Sequence, residues 1–207
     1  MVREGARERL RRSFLPADVR VFFIGESPPA AGTFFYAADS GLYRATRDAF
    51  GAALPSCHGS DSFLTCFAAF GCYLYDLCHE PVNHLTDRRD GSWQKRLKAR
   101  RGGEPRLAQT LAELQPQVVV ILLRGIAKNV ARAASLAGYA EVERYTLTYP
   151  SRWHIHRLAY RRELTAIVRD LARRGILFLP CTSRRAIMRC ARFRSAVSVL
   201  RQGQVLG

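Results

Sequence analysis

Six consecutive apolar residues, Val118-Val119-Val120-Ile121-Leu122-Leu123, constrain the fold more than any other stretch of this chain. The first four are β-branched, a side-chain shape that suits a pleated, packed surface. No polar residue interrupts the run, so the strand it predicts has no face for water. Burial on both faces is the environment of a central strand in a parallel sheet covered by helices. The neighbouring patterns agree. Val19–Ile24 is a second short, mostly apolar run, halted by Gly25, and Phe70–Leu77 and Val142–Thr148 read as two further strands. Helical spacing is predicted over 3–14, Leu42–Phe50 (with Gly51 as C-cap), Leu107–Leu114, Ile126–Leu136 and Leu158–Arg173, while roughly 84–104 reads as a polar, charged connection. Strands alternating with helices predict a three-layer α/β/α fold with a central four-stranded parallel sheet. We read residues 1–207 as one domain, with its core at about 19–174 and an Arg-rich tail at about 177–207. Ligands of such sheets gather at the carboxyl ends of the strands.

A chain of 207 residues, 48% hydrophobic, can bury a core without disulfide or metal staples. No apolar run approaches the ~18–20 residues that cross a bilayer, and the first residues carry no apolar signal core. The expectation is a monomeric cytoplasmic protein with no membrane partner. The six cysteines, Cys57, Cys66, Cys72, Cys78, Cys181 and Cys190, contain no C-x-x-C pair. No metal site is expected, and reduced buried thiols are the default.

Charge is the second constraint. Lys+Arg number 33 against 17 Asp+Glu, a formal net charge of +16, and the only lysines are Lys95, Lys98 and Lys128. From Arg144 to the end, 14 arginines face only Glu163 and Asp170. Such a surface attracts a polyanion through counterion release, and the guanidinium fork matches phosphate oxygens. Nucleic acid is the partner this predicts. The competing explanations are an arginine-favouring genome, an acidic protein partner or a membrane surface.

Three loops leave the predicted strand ends with unusual content. Gly25-Glu26-Ser27-Pro28-Pro29-Ala30 is stiffened by its prolines and runs into Gly32-Thr33-Phe34-Phe35-Tyr36. A carboxylate on a rigid loop beside aromatics suits a site that stacks a planar ring and holds a water next to it. Equally, Glu26 can be a solvated turn residue and the rings core. Asp76, in Gly71-Cys72-Tyr73-Leu74-Tyr75-Asp76-Leu77, is costly inside an apolar strand unless paired or used, though it can merely cap the loop. Tyr149-Pro150-Ser151-Arg152-Trp153-His154 sets an arginine beside a large aromatic. It can clamp phosphate and drive a wedge into a stacked duplex, or Trp153 can be core.

In order, these motifs resemble the uracil-DNA glycosylase superfamily, whose members carry a G-[EQ]-x-P first motif and a late H-P-S. The resemblance spans about residues 19–174. It implies that Phe35, with Phe34 beside it, stacks on a displaced base. It also implies that Gly25, Ser27, Pro28 and Tyr149 surround that base, and that Ser151, Arg152, Trp153 and His154 hold DNA. Two departures bear on substrate. Asp76 stands where uracil-specific members have Asn, as in the hypoxanthine-DNA glycosylase branch, and Tyr149 stands where His is usual. No cysteine precedes Cys57, so the iron–sulfur cluster of some members is not expected, and no cofactor is.

The implied activity is hydrolysis of the N-glycosidic bond of uracil, or of another deaminated base such as hypoxanthine or xanthine, in DNA. The base is reached by flipping the nucleotide out of the stack. Glu26 is the first candidate to activate water, with Asp76 as the second. An ionised Asp76 offers only acceptors to the base, which predicts a shifted or broader base choice. The alternatives are a non-catalytic binder of damaged or abasic DNA with the same fold, or an unrelated nucleotide-directed α/β enzyme. No Walker-type or dinucleotide-binding glycine motif supports the latter.

Overall fold

The computed structural model describes residues 4–55 and 63–179. Four strands, β1 (Val21–Gly25), β2 (Cys72–Asp76), β3 (Val118–Ile121) and β4 (Glu143–Thr146), form one all-parallel sheet in the order β2-β1-β3-β4. Among the described residues six α-helices surround it: α1 (Glu4–Arg12), α2 (Gly41–Ala53), α3 (Phe63–Ala69), α4 (Ser92–Leu114), α5 (Ala127–Leu136) and α6 (His154–Arg173). This is the three-layer α/β/α architecture expected from the strand pattern. No helix among the described residues is long and apolar enough to cross a membrane.

The two central strands, β1 and β3, are buried along their whole length. Successive side chains of a strand point to opposite faces, and β1 illustrates the consequence. Phe23 packs against Phe50 of α2 and Phe67 of α3, while Phe22 meets Tyr73 and Tyr75 of β2. The Tyr75 ring is in turn covered by the guanidiniums of Arg11 and Arg106, from α1 and α4. The two helix pairs are tied by buried polar contacts. Tyr160 of α6 shares a 2.8 Å hydrogen bond with Thr46 of α2, and Glu104 of α4 accepts from Asn129 and Arg132 of α5.

β2 is an edge strand, and an exposed edge invites foreign pairing. The Tyr36 hydroxyl closes part of it, accepting the Leu74 N–H at 2.7 Å and donating to the Leu74 carbonyl at 3.1 Å. β4, the other edge, alternates between half-buried and exposed residues.

Differences from the sequence reading have identifiable causes. α4 begins at Ser92 rather than near Leu107, although Gly102, Gly103 and Pro105 are poor helix formers in its interior. Tertiary bonds override propensity here: Arg96 and Arg100 bind Glu26, Glu104 binds α5, and Arg106 donates to the Asp76 and Leu77 carbonyls. Gly103 is required, because a Cβ there would strike the Leu77 carbonyl. α3, which the spacing does not predict, and the earlier start of α6 at His154 are the other additions. Cys72 and Cys78 are free and buried, whereas Cys66 is disulfide-bonded, correcting the expectation of reduced thiols there. The Arg-rich tail beyond 179 lies outside the described residues.

Candidate active site

Parallel strands end together at one side of the sheet, so the loops that follow them converge. β1 and β2 continue to pair beyond their ends: the N–H groups of Leu77 and Cys78 donate to the carbonyls of Gly25 and Glu26 at 3.0 and 2.7 Å. Two side chains extend this zipper. Ser27 Oγ accepts the Val82 N–H at 3.2 Å, and Asn83 Oδ1 accepts the Ala30 N–H at 3.0 Å. The proline-stiffened loop is thus anchored at both ends to the segment after β2.

Above these loops lies a cavity of about 620 Å³, within the usual range of small-molecule sites. Gly25, Glu26, Ser27, Phe34, Phe35 and Asp76 line it, joined by Tyr149, Ser151 and Arg152 from the end of β4. Three loops far apart in sequence therefore meet around one space. Pro28, Trp153 and His154 are not among its lining residues. Trp153 and His154 lie outside it and are exposed, Trp153 at 58%. Trp153 is not core.

The two carboxylates sit in unlike environments. Glu26 is gripped by two guanidiniums: its Oε1 accepts from Arg96 Nε and Arg100 Nε, both at 2.7 Å, and its Oε2 from Arg96 Nη2 at 2.5 Å. All three side chains are nearly buried. Burial alone would raise the Glu26 pKa, but the hydrogen bonds and charges of Arg96 and Arg100 outweigh it and hold the carboxyl below its ordinary value. Glu26 is not the solvated turn residue that composition allows, and most of its acceptor capacity is used.

Asp76 is the reverse case. It ends β2 at 7% exposure, and no hydrogen bond from the described residues reaches its carboxylate. Burial dominates and pushes its pKa up to about 6, opposed by the positive charges of Arg11, Arg106 and Arg7 and reinforced by Glu26. A carboxyl titrating near neutrality inside a cavity is a candidate acid–base group.

The aromatic wall is fixed by its own packing. The Phe35 ring has Tyr36, Tyr43 and Phe67 within 5.2–6.0 Å, centroid to centroid. The Phe34 N–H is held by Asp39 Oδ1 at 2.7 Å. On the other wall, partial desolvation of the 39% exposed Tyr149 and the carboxylates of Asp76 and Glu26 raise its pKa, so the phenol stays protonated and serves as a donor. Ser151 Oγ bonds His156 Nδ1 at 2.7 Å, which fixes the turn into α6.

Sequence reasoning overlooked Arg96, Arg100 and Asn83. Arg96 and Arg100 are one helical turn apart on α4, a spacing that shares a face. That signal is legible only once 92–104 is recognised as helix.

The fold and site define a three-layer α/β/α protein with a carboxylate-bearing cavity at the strand ends. No protein-family model matches the chain, and no curated protein is similar enough in sequence to match it.

Proposed function

We propose that this protein is a DNA glycosylase that hydrolyses the N-glycosidic bond of a deaminated base, uracil among them. The observation that carries this reading is the single cavity that joins an aromatic wall (Phe34, Phe35), a buried free carboxylate (Asp76) and a phenol donor (Tyr149). An exposed Arg152–Trp153 segment lies beside it, in a chain of net charge +16.

The chemistry follows from these groups. A base in a duplex is out of reach, so the nucleotide is extruded at a cost of a few kcal/mol. Phe35 stacks on the base, an interaction worth about 1–3 kcal/mol. Arg152 holds backbone phosphate, and Trp153 or Ile155, 72% exposed, fills the space left in the stack. As the C1′–N bond breaks, its electron pair leaves with the base and positive charge grows on the sugar. The Tyr149 phenol and backbone N–H groups of the turn at Ser27 stabilise the leaving base. Water adds to C1′ and gives its proton to Asp76, whose pKa of about 6 leaves it ionised at neutral pH.

Of the two candidates to activate water, the geometry favours Asp76. Glu26 is occupied by Arg96 and Arg100 and resists protonation. Its role is to lock the loop after β1 onto α4 and to add negative charge near the developing cation.

The test is direct. Purified protein is incubated with oligonucleotides carrying one uracil, hypoxanthine or xanthine, and alkali-labile sites are scored without added metal. Abasic sites are the expected product. Tight binding to uracil-bearing or abasic DNA without them replaces this reading with that of a non-catalytic binder.

A further inference from the structure

Both tryptophans of the chain lie next to guanidiniums that border the cavity. Trp153 sits 5.0 Å from the guanidinium carbon of Arg152, on the side approached from β4. Trp93, at the start of α4, has three guanidiniums, those of Arg88, Arg96 and Arg100, each 5.5 Å from its ring centroid. Arg96 and Arg100 use their donors on Glu26, and Arg100 also on the Gly125 carbonyl. Arg88 is different: it is exposed, and among the described residues it donates no side-chain hydrogen bond and meets no carboxylate.

The turn that presents Arg88 is ordered by its own bonds. The Asp87 carbonyl accepts from the Trp93 N–H at 2.8 Å and from Ser92 Oγ at 2.9 Å. The two nearby carboxylates, Asp87 and Asp90, are turned to backbone N–H groups of Arg89 and Ser92. Arg89, Lys95 and Lys98 are exposed on the same segment. The result is a guanidinium that lies over a tryptophan ring, on an ordered turn and with its donors unspent, one tryptophan away from a cavity-lining arginine. Its free N–H edge has the geometry of a phosphate fork.

We propose that the Arg88–Trp93 corner is a second contact for the phosphodiester backbone of DNA, gripping the strand from the α4 side while the Tyr149–Trp153 segment holds it from β4. This rests on the reading of the chain as a DNA-directed protein. Trp93 acts as the shelf that holds Arg88, and Arg88 takes a phosphate next to the displaced nucleotide.

The experiment measures binding of the full chain to a short single-stranded oligonucleotide with an uncleavable abasic analogue, across a range of salt. Removing one phosphate contact from a single strand lowers the slope of log K against log salt by about 0.7, which is about fivefold in affinity near 0.1 M and vanishes towards 1 M. Arg88→Gln is expected to show that pattern. Arg173→Gln, about 28 Å along α6 from its first residue, removes the same charge at the end of α6 away from the Trp153 turn and is expected to leave the slope alone. An Arg88→Gln slope equal to that of the wild type or of Arg173→Gln overturns the proposal. If the wild-type chain does not bind the oligonucleotide at all, the DNA reading falls and this contact with it. If Arg88→Gln weakens binding but uracil-bearing DNA is never cut, the glycosylase reading falls and the contact stands.

Discussion

Gly25 and Asp76 are register partners at the ends of β1 and β2, and the Asp76 carboxylate occupies the space that a β-carbon on Gly25 would need. The backbone at Gly25 has no need of a left-handed conformation, so what it contributes is room. Gly25→Ala is therefore expected to displace Asp76. A loss of excision of about tenfold or more, with a stability loss of about 1–3 kcal/mol from overpacking, is the outcome to measure by single-turnover kinetics and urea unfolding.

Asp76→Asn separates chemistry from stability. If Asp76 takes the proton, excision falls by about 10²-fold or more, and the acid limb of the wild-type profile, with its midpoint near pH 6, disappears. The folded pKa lies above the unfolded one, so the ionised carboxyl opposes folding above about pH 6 and ceases to do so as pH falls towards 4. Asn is thus expected to stabilise the protein by roughly 2–3 kcal/mol at pH 8, with no gain near pH 4. An intact rate in Asp76→Asn with loss in Glu26→Gln would return the water-activating role to Glu26.

Glu26→Gln strips the partner from two nearly buried guanidiniums. Breaking such a pair costs about 3–5 kcal/mol, so a large drop in urea midpoint is expected at pH 7. The Glu26 pKa is lowered by folding, which makes its contribution complete above the unfolded carboxylate pKa and progressively lost as pH falls below it. The gap between variant and wild type narrows accordingly in acid.

Phe35→Leu keeps the wall apolar but removes the ring face. Its aromatic neighbours make a modest stability cost of about 1–2 kcal/mol the expectation. A loss of stacking of about 1–3 kcal/mol should appear as a raised KM for uracil-bearing substrate. An unchanged KM would place the base elsewhere.

Trp153→Ala tests the wedge. The side chain is exposed at 58%, so stability should change by less than about 0.5 kcal/mol. Excision from duplex is expected to fall at least tenfold, with little change on single strands, where no stack has to be opened. Equal loss on both substrates would make Trp153 a general DNA contact instead.

Much of this was readable from local pattern because the physics concerned is local. An uninterrupted β-branched run such as Val118–Ile121 cannot tolerate water on either face. Phe34, Phe35 and Tyr149 stood out in loops that follow predicted strands, and Asp76 as a carboxylate inside one, so each position needed a reason. The reading stopped where the reason lay on another element. Nothing near Glu26 in sequence announces that Arg96 and Arg100, seventy or more residues on, will neutralise it. The Gly102-Gly103 pair and Pro105 likewise argued against the helix that carries both arginines.

By itself, then, the amino-acid order determined the strand–helix alternation, the parallel sheet and the set of loops in which chemistry was to be sought, since hydrophobic periodicity and turn residues act over a few positions. Only the tertiary structure decided which carboxylate is free. Charge state depends on burial and on guanidiniums brought in from α1 and α4, and those terms exist only once the chain has closed around the cavity.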